Sequence, residues 1–252
     1  MKKIILFAGL LALAGCADTP AESLAKAKAE FAAHDFATAR IHIAAALETD
    51  PKNAEMLLLQ ARTLIALGDG LVHTCQTEGV GTVLEIGIGT GHNLPFYDPT
   101  RVTRLIGLDP SGKSWELAGE RAAHLGFEVE FIGLPSEEIP LEAASVDTVL
   151  VTYSLCTIPD TVTALRGMAR VLRPGGKLIF CEHGRAPDAA VCKWQDRINP
   201  LWRRLLGGCH LNRNIPDLLA AGGFRIEQMD TMYLPGTPRF AGYNLWGRAV
   251  PA

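Results

Sequence analysis

The 252-residue sequence contains no C-x-x-C pair, although six cysteines are spread along it at positions 16, 75, 156, 181, 192 and 209. Paired spacing is what a zinc ribbon or a redox dithiol requires, so no metal site is expected. Scattered single thiols suit a reducing compartment, where cysteine behaves as a small buried hydrophobe. Basic runs are also missing. Beyond Lys2-Lys3 and Arg203-Arg204 no cations cluster, and the formal net charge is -3. Nucleic-acid binding needs a concentrated basic face, so no such partner is expected. What remains is an ordinary globular composition, 48% hydrophobic and 20% charged, which supports a sizeable buried core.

The chain reads as three segments. In residues 1–16, Lys2-Lys3 precede an apolar stretch of 11 residues, Ile4 to Ala14. That is too short to span a bilayer as a helix but suits the apolar core of a signal peptide. The stretch ends in Leu13-Ala14-Gly15-Cys16, which resembles the lipobox of bacterial lipoproteins. The resemblance implies acylation of Cys16 and membrane attachment through the N-terminus. An uncleaved hydrophobic anchor is the alternative. If the signal is not used, the chain stays cytoplasmic.

Residues 20–69 read as amphipathic helices. Ala39, Ala46 and Pro51 occupy the small and helix-ending positions of a 34-residue helix-turn-helix unit. The stretch FAAHDFATARIHIAAALETDPKN resembles a tetratricopeptide repeat, and a second unit starting at Ala54 stops after its first helix. Stable arrays need at least about three repeats, so three helices are expected that pack on the neighbouring domain or hang loosely, with a protein partner of the segment as a further expectation. A plain alanine-rich helical linker is the competing reading.

From Thr82, strands alternate with helices. VLEI, RLIGL, VEFIGL, VDTVLVT and GKLIFCEH are short aliphatic runs, with helical stretches at Ser114 to Leu125 and Thr161 to Leu172. Arg173-Pro174-Gly175-Gly176 stops the second helix. Leu234 to Pro238 is a turn-rich loop before a last strand, Gly242 to Ala249. The alternation predicts an α/β fold over residues 80–252: a Rossmann-like doubly wound sheet, mostly parallel, with helices on both faces.

The chemistry concentrates in VLEIGIGTG, residues 83–91. A buried strand ends in Gly87, Gly89 and Gly91, where the backbone turns tightly and approaches a ligand without a Cβ in the way. Such loops serve dinucleotides, S-adenosylmethionine and phosphates alike. The dinucleotide fingerprint, however, needs a third glycine where this chain has His92. A P-loop is excluded because no Gly-Lys-Ser/Thr follows. Leu105 to Asp109 is a second strand ending in a carboxylate 24 residues beyond Glu85. That carboxylate can accept both ribose hydroxyls of a nucleoside, or it can cap the next helix.

LEIGIGTGHNLPFY, GLDPS, ALRGMARVLRPGGKLIFCEHG and WQDRINPLWRRLLGGCHLNR resemble class I S-adenosylmethionine-dependent methyltransferases. YSLCTI, CEHG and GGCHLNR resemble more narrowly the branch of membrane-associated thiol S-methyltransferases. The resemblance, from Val83 to about Val250, implies S-adenosylmethionine as cofactor and an antiparallel last strand. It implies that Gly87, Gly89 and Gly91 face the methionine portion, that Glu85 reaches its amino group through water, and that Asp109 holds the ribose. Ser136 and Glu137 would border the adenine, and Thr152 the methyl-transfer mouth. Glu182 and His183 follow the fifth strand and either deprotonate an acceptor or hydrogen-bond within their loop. Cys209 and His210, with Asn212 and Arg213, either shape the acceptor pocket or clamp an anion, or they hold structure. Cys156 reads as a packing residue, and Trp194 and Trp202 as helical residues that wall the acceptor or pack the core.

A small apolar acceptor, with a thiol first, follows from the resemblance; a lipid head group or quinone is the alternative within enzymes. The front of the chain pulls the other way. An exported lipoprotein lies where S-adenosylmethionine is not expected, and the second repeat breaks off at Asp69-Gly70. A lipid-anchored repeat adaptor carrying a vestigial methyltransferase domain is therefore the reading of another class.

Overall fold

The computed structural model describes residues 19–33, 38–39, 42–43, 46–47, 50, 55, 79–122, 125–234 and 237–252. Cys16 and the signal-like segment lie outside the described residues, as does nearly all of the second repeat unit. Among the described residues no helix is long and apolar enough to cross a membrane. The chain divides into two compact units, Met1–Leu67 and Gly68–Ala252.

In the first unit, helix α1 spans Pro20–Ala32. Thr19 accepts from the Glu22 N–H while the Glu22 carboxylate accepts from the Thr19 N–H, a reciprocal capping box. Pro20 opens the helix, where its missing N–H costs nothing. Ala27 and Ile43 are buried together, with Leu24, Phe31 and Leu47 packed around them.

The second unit is built on seven strands: β1 (Gly81–Ile86), β2 (Val102–Leu108), β3 (Glu128–Ile132), β4 (Val146–Thr152), β5 (Leu172–His183), β6 (Phe224–Tyr233) and β7 (Tyr243–Pro251). Their order is β3-β2-β1-β4-β5-β7-β6. The first five pair in parallel, and β7 runs antiparallel to both neighbours. The doubly wound, mostly parallel sheet with an antiparallel last strand is therefore as the sequence predicts.

Period-two alternation splits the central strands between two cores. Leu84, Ile86, Val149, Val151, Leu178 and Phe180 face one side, where α3 (Thr161–Val171) supplies Leu165 and Met168 and α5 (Ile215–Ala221) supplies Leu219. Val83, Leu105, Leu150 and Ile179 face the other, against Leu94 and against Ala118 of α2 (Gly112–Ala122). Each such aliphatic side chain, fully buried, contributes roughly 1.5–3 kcal/mol. The two remaining helices are α4 (Ala189–Leu205) and the four-residue α6 (Arg239–Gly242).

Two elements differ from expectation. Leu172 already pairs with Val146, and the Arg173-Pro174-Gly175-Gly176 turn is absorbed as a register shift before Lys177 resumes the ladder opposite Thr148. The edge strand β6 has no counterpart in the sequence reading. Most of Arg225 to Thr231 faces water, so the segment lacks the apolar alternation that marks a strand; its pairing with β7 forms it.

Candidate active site

The strand order reverses between β1 and β4, and ligands of open α/β sheets bind at that crevice, beyond the carboxyl ends of the strands. A cleft of about 340 Å³ lies there, lined by Gly87, Asp109, Pro110, Pro135, Ser136, Glu137, Tyr153, Ser154, Thr157, Ile158 and Pro159.

The glycine loop forms one wall. Gly87 has φ +72°, and a Cβ on it would stand 2.0 Å from the Ser154 hydroxyl oxygen. Only glycine fits both the conformation and the space. Gly91 also has positive φ, but a Cβ there would meet Leu94 at 2.6 Å and Ala118 at 2.9 Å. The absence of a Cβ at Gly91 therefore lets the loop pack closely on α2. The Gly89 N–H donates to Asp109 Oδ2 at 3.0 Å, and the Ser111 N–H donates to Oδ1 at 2.8 Å. Ser111 itself accepts from the Ser114 N–H and caps the first turn of α2, which leaves the Asp109 carboxylate at the cleft wall. Ser136 and Glu137 complete this side, and Glu137 Oε1 also accepts from the Asp160 N–H at 3.0 Å.

Glu85 lies beneath the loop. Its Oε1 accepts from Asn93 Nδ2 at 2.7 Å, and its Oε2 accepts from the Tyr97 hydroxyl at 2.8 Å. Burial pushes its carboxyl up to about 7, the two hydrogen bonds opposing that rise. At 1% exposure and with both oxygens hydrogen-bonded, Glu85 braces the loop from below. Asn93 also donates to Thr152 Oγ1 at 2.9 Å. Tyr153 and Ser154 line the cleft at the end of β4, and Thr152 is not among its lining residues.

The other side is built from β4, β5 and the segment after α4. Tyr153 has φ +48°, uncommon for a bulky residue and a form of strain that collects at functional sites. Its hydroxyl donates to Asn244 Oδ1 at 2.8 Å, and its ring stacks on His183. Glu182 Oε1 accepts from the N–H groups of Ser154 and Leu155 at 2.7 and 2.9 Å. Its Oε2 is buried without a hydrogen-bond partner, and burial pushes the carboxyl up to about 7. His183 Nε2 lies 3.2 Å from Cys209 Sγ. Burial works against the charged imidazole, but the contact with Cys209 and the charges of Cys209 and Glu182 outweigh it and raise its pKa. Cys156 and His183 together draw the Cys209 thiol below its ordinary range.

None of the three expected acceptor residues His210, Asn212 and Arg213 lines the cleft. The Arg213 guanidinium donates to the carbonyls of Leu155 and Ile158 and to Thr161 Oγ1, tying the β4 loop to α3, which is the structural one of its readings. Asn212 donates to Asp196 at an exposed site. His210 is placed through its backbone N–H, which donates to the Cys156 carbonyl at 2.8 Å. Trp194 stands 61% exposed on α4, and Trp202 packs edge-on against Phe240.

The sequence reading missed Asn93 and Tyr97, the two partners of Glu85. Their signal was present: they are the polar-tipped members of NLPFY, directly after the glycine loop. Cys209 was named with the acceptor residues, but its contact with His183 gave no signal, because only the fold brings the two together.

Glycines with positive φ at the end of β1, a carboxylate at the end of β2 and a cleft at the sheet's switch point fit a nucleoside cofactor bearing a compact charged tail. This is the arrangement of an S-adenosylmethionine-dependent methyltransferase. A family described as "Methyltransferase domain" matches residues 84–180. The human (Homo sapiens) protein named thiol S-methyltransferase TMT1B is 32% identical over 205 residues, with 79% of this chain and 82% of that protein covered. Human thiol S-methyltransferase TMT1A is 31% identical over 181 residues, covering 69% and 72% respectively. Geranyl diphosphate C-methyltransferase from Streptomyces coelicolor A3(2) shares the fold, with TM-score 0.60 and 15% identity, covering 80% of this chain and 86% of that one. The chain belongs to the methyltransferase family, and it is an enzyme that uses S-adenosylmethionine.

Proposed function

We propose that the protein transfers the methyl group of S-adenosylmethionine to the sulfur of a small apolar thiol. The observation that carries this reading is its similarity to two proteins named thiol S-methyltransferases, at about 30% identity across most of their length. The cleft agrees in character. Tyr153, Thr157, Ile158 and Pro159 form part of its wall, a surface that favours an apolar acceptor over a charged one.

The cofactor carries its methyl group on a sulfonium, which activates it without help from the protein. What falls to the chain is positioning in a dry site. Asp109 receives the ribose hydroxyls, and the Gly87–Gly91 loop takes the methionine portion. Ser136 and Glu137 border the base. Glu182, enclosed in the protein, fixes the backbone of Ser154 and Leu155 and is a positioning residue. His183 and Cys209 give the acceptor side its polar chemistry. Acylation at Cys16 and a protein partner for the helical segment belong to the same proposal; a Cys16→Ala variant that loses membrane sedimentation would support the first.

The test is a methylation assay on the full chain with S-adenosylmethionine and separate panels of aliphatic thiols, phosphatidylethanolamine vesicles and quinols, read by mass spectrometry. A methyl thioether as the main product is expected. Methylation confined to the lipid or the quinol would contradict the thiol reading.

A further inference from the structure

The spacing of the cysteines carries no metal signature, yet the fold gathers two of them around a histidine. Cys156 comes from the loop after β4, His183 ends β5, and Cys209 follows α4. Their two Sγ atoms and the imidazole nitrogen all lie within 4.8 Å of one another. His183 Nε2 and Cys209 Sγ are 3.2 Å apart. Each residue is fixed by its own backbone contacts. Leu155, beside Cys156, donates its N–H to Glu182 at 2.9 Å. His183 pairs with Asn244 in the β5–β7 ladder. His210, beside Cys209, donates its N–H to the Cys156 carbonyl at 2.8 Å.

Two sulfurs and an imidazole form a donor set that suits zinc-class cations and not the hard oxygen-seeking ones. Tetrahedral bonds of about 2.0–2.3 Å set ligand atoms roughly 3.5–3.8 Å apart. The observed cluster brackets that spacing, so shifts of about an ångström or less would close it on an ion. Charge also balances once the ion displaces the two thiol protons, because two thiolates offset a dication.

We propose that Cys156, His183 and Cys209 form a three-ligand site for a zinc-class divalent cation, with its fourth position open to an exogenous thiolate sulfur. Three protein ligands with one open position is the pattern of catalytic rather than structural zinc. At that position a thiol releases its proton to solvent and binds as the thiolate, the nucleophilic form of sulfur. The open-position assignment rests on the thiol reading above; cation binding does not.

The test uses the reduced, metal-stripped full chain, titrated with cobalt(II) and zinc(II). Sulfur-to-cobalt charge-transfer absorption is followed in the parent protein, Cys209→Ser and His183→Gln, with circular dichroism to establish that each variant folds. One ion per chain with a thiolate band is expected, with affinity roughly tenfold or more lower in Cys209→Ser. Added 2-mercaptoethanol should then shift the ligand-field bands of bound cobalt. Binding without a thiolate band in the parent protein overturns the site, and so does equal affinity in parent and Cys209→Ser. The parent spectrum decides this even if a variant fails to fold. Bands unmoved by the thiol overturn the open position alone. Neither readout involves methyl transfer, so failure of the thiol reading in the activity assay is separable from failure here.

Discussion

Glu85 and Glu182 stand near the carboxyl ends of two parallel strands, β1 and β5, and the fold answers their charge in different ways. Both are buried, and burial pushes both up to about 7. Glu85 has each oxygen met by a side chain from the next twelve residues, Asn93 and Tyr97. Glu182 has one oxygen met by two backbone N–H groups, and the other has no hydrogen-bond partner. The glycine-loop side is thus a polar network made mostly within residues 85–97 and joined to β4 through Thr152. The side around the end of β5 is assembled from three distant segments and leaves polar capacity unspent beside His183 and Cys209. The two sides meet where Gly87 touches Ser154, whose N–H is held by Glu182.

The largest expected effect is on the pH dependence of stability. A carboxyl raised from the ordinary 4.5 to about 7 on folding favours the native state fully below pH 4.5. That contribution is lost as pH rises toward 7, and above it the full penalty of a buried charge remains. Each glutamate should account for on the order of 3 kcal/mol across the window. Urea unfolding of Glu85→Gln and Glu182→Gln at intervals from acid to neutral pH should show flatter profiles for both. Glu182→Gln should gain more stability at neutral pH, because its amide keeps the acceptor for Ser154 and Leu155 and removes a less fully answered charge. Equal gains would erase the distinction between the two sides.

Gly87→Ala probes the seam. Left-handed strain and overlap with Ser154 should cost about 2 kcal/mol in unfolding free energy. Ser154→Ala in the same chain should recover part of that loss, a coupling read from a double-mutant cycle. No coupling would mean the two sides are independent. The smallest effect is Tyr97→Phe, which removes one of the two donors to Glu85 and should cost about 1–2 kcal/mol by the same measurement. It should also raise the Glu85 pKa further, since that hydrogen bond opposes the rise.

The cofactor side was legible in the sequence because its parts are contiguous. The three glycines, Asp109 and the helix from Thr161 each sit in a local pattern whose physics acts within a few residues. The side around the end of β5 was not. His183 and Cys209 are 26 residues apart, and nothing in their local sequence encodes the contact. Arg213 could be read as an anion clamp because a sequence shows a guanidinium but not the carbonyls that surround it. Strand β6 escaped because an edge strand facing water carries no apolar alternation. Glu85 was found as a site residue, but its role as a buried brace depended on Asn93 and Tyr97, which read as loop.

The central claim is a working S-adenosylmethionine site at the end of β1 and β2. Isothermal titration of S-adenosylhomocysteine into the full chain and into Asp109→Ala tests it most directly. The account predicts saturable binding that weakens roughly ten- to hundredfold in the variant, the loss of two hydrogen bonds to a carboxylate. A folded protein that binds no cofactor product, or binds it equally well without Asp109, would contradict it.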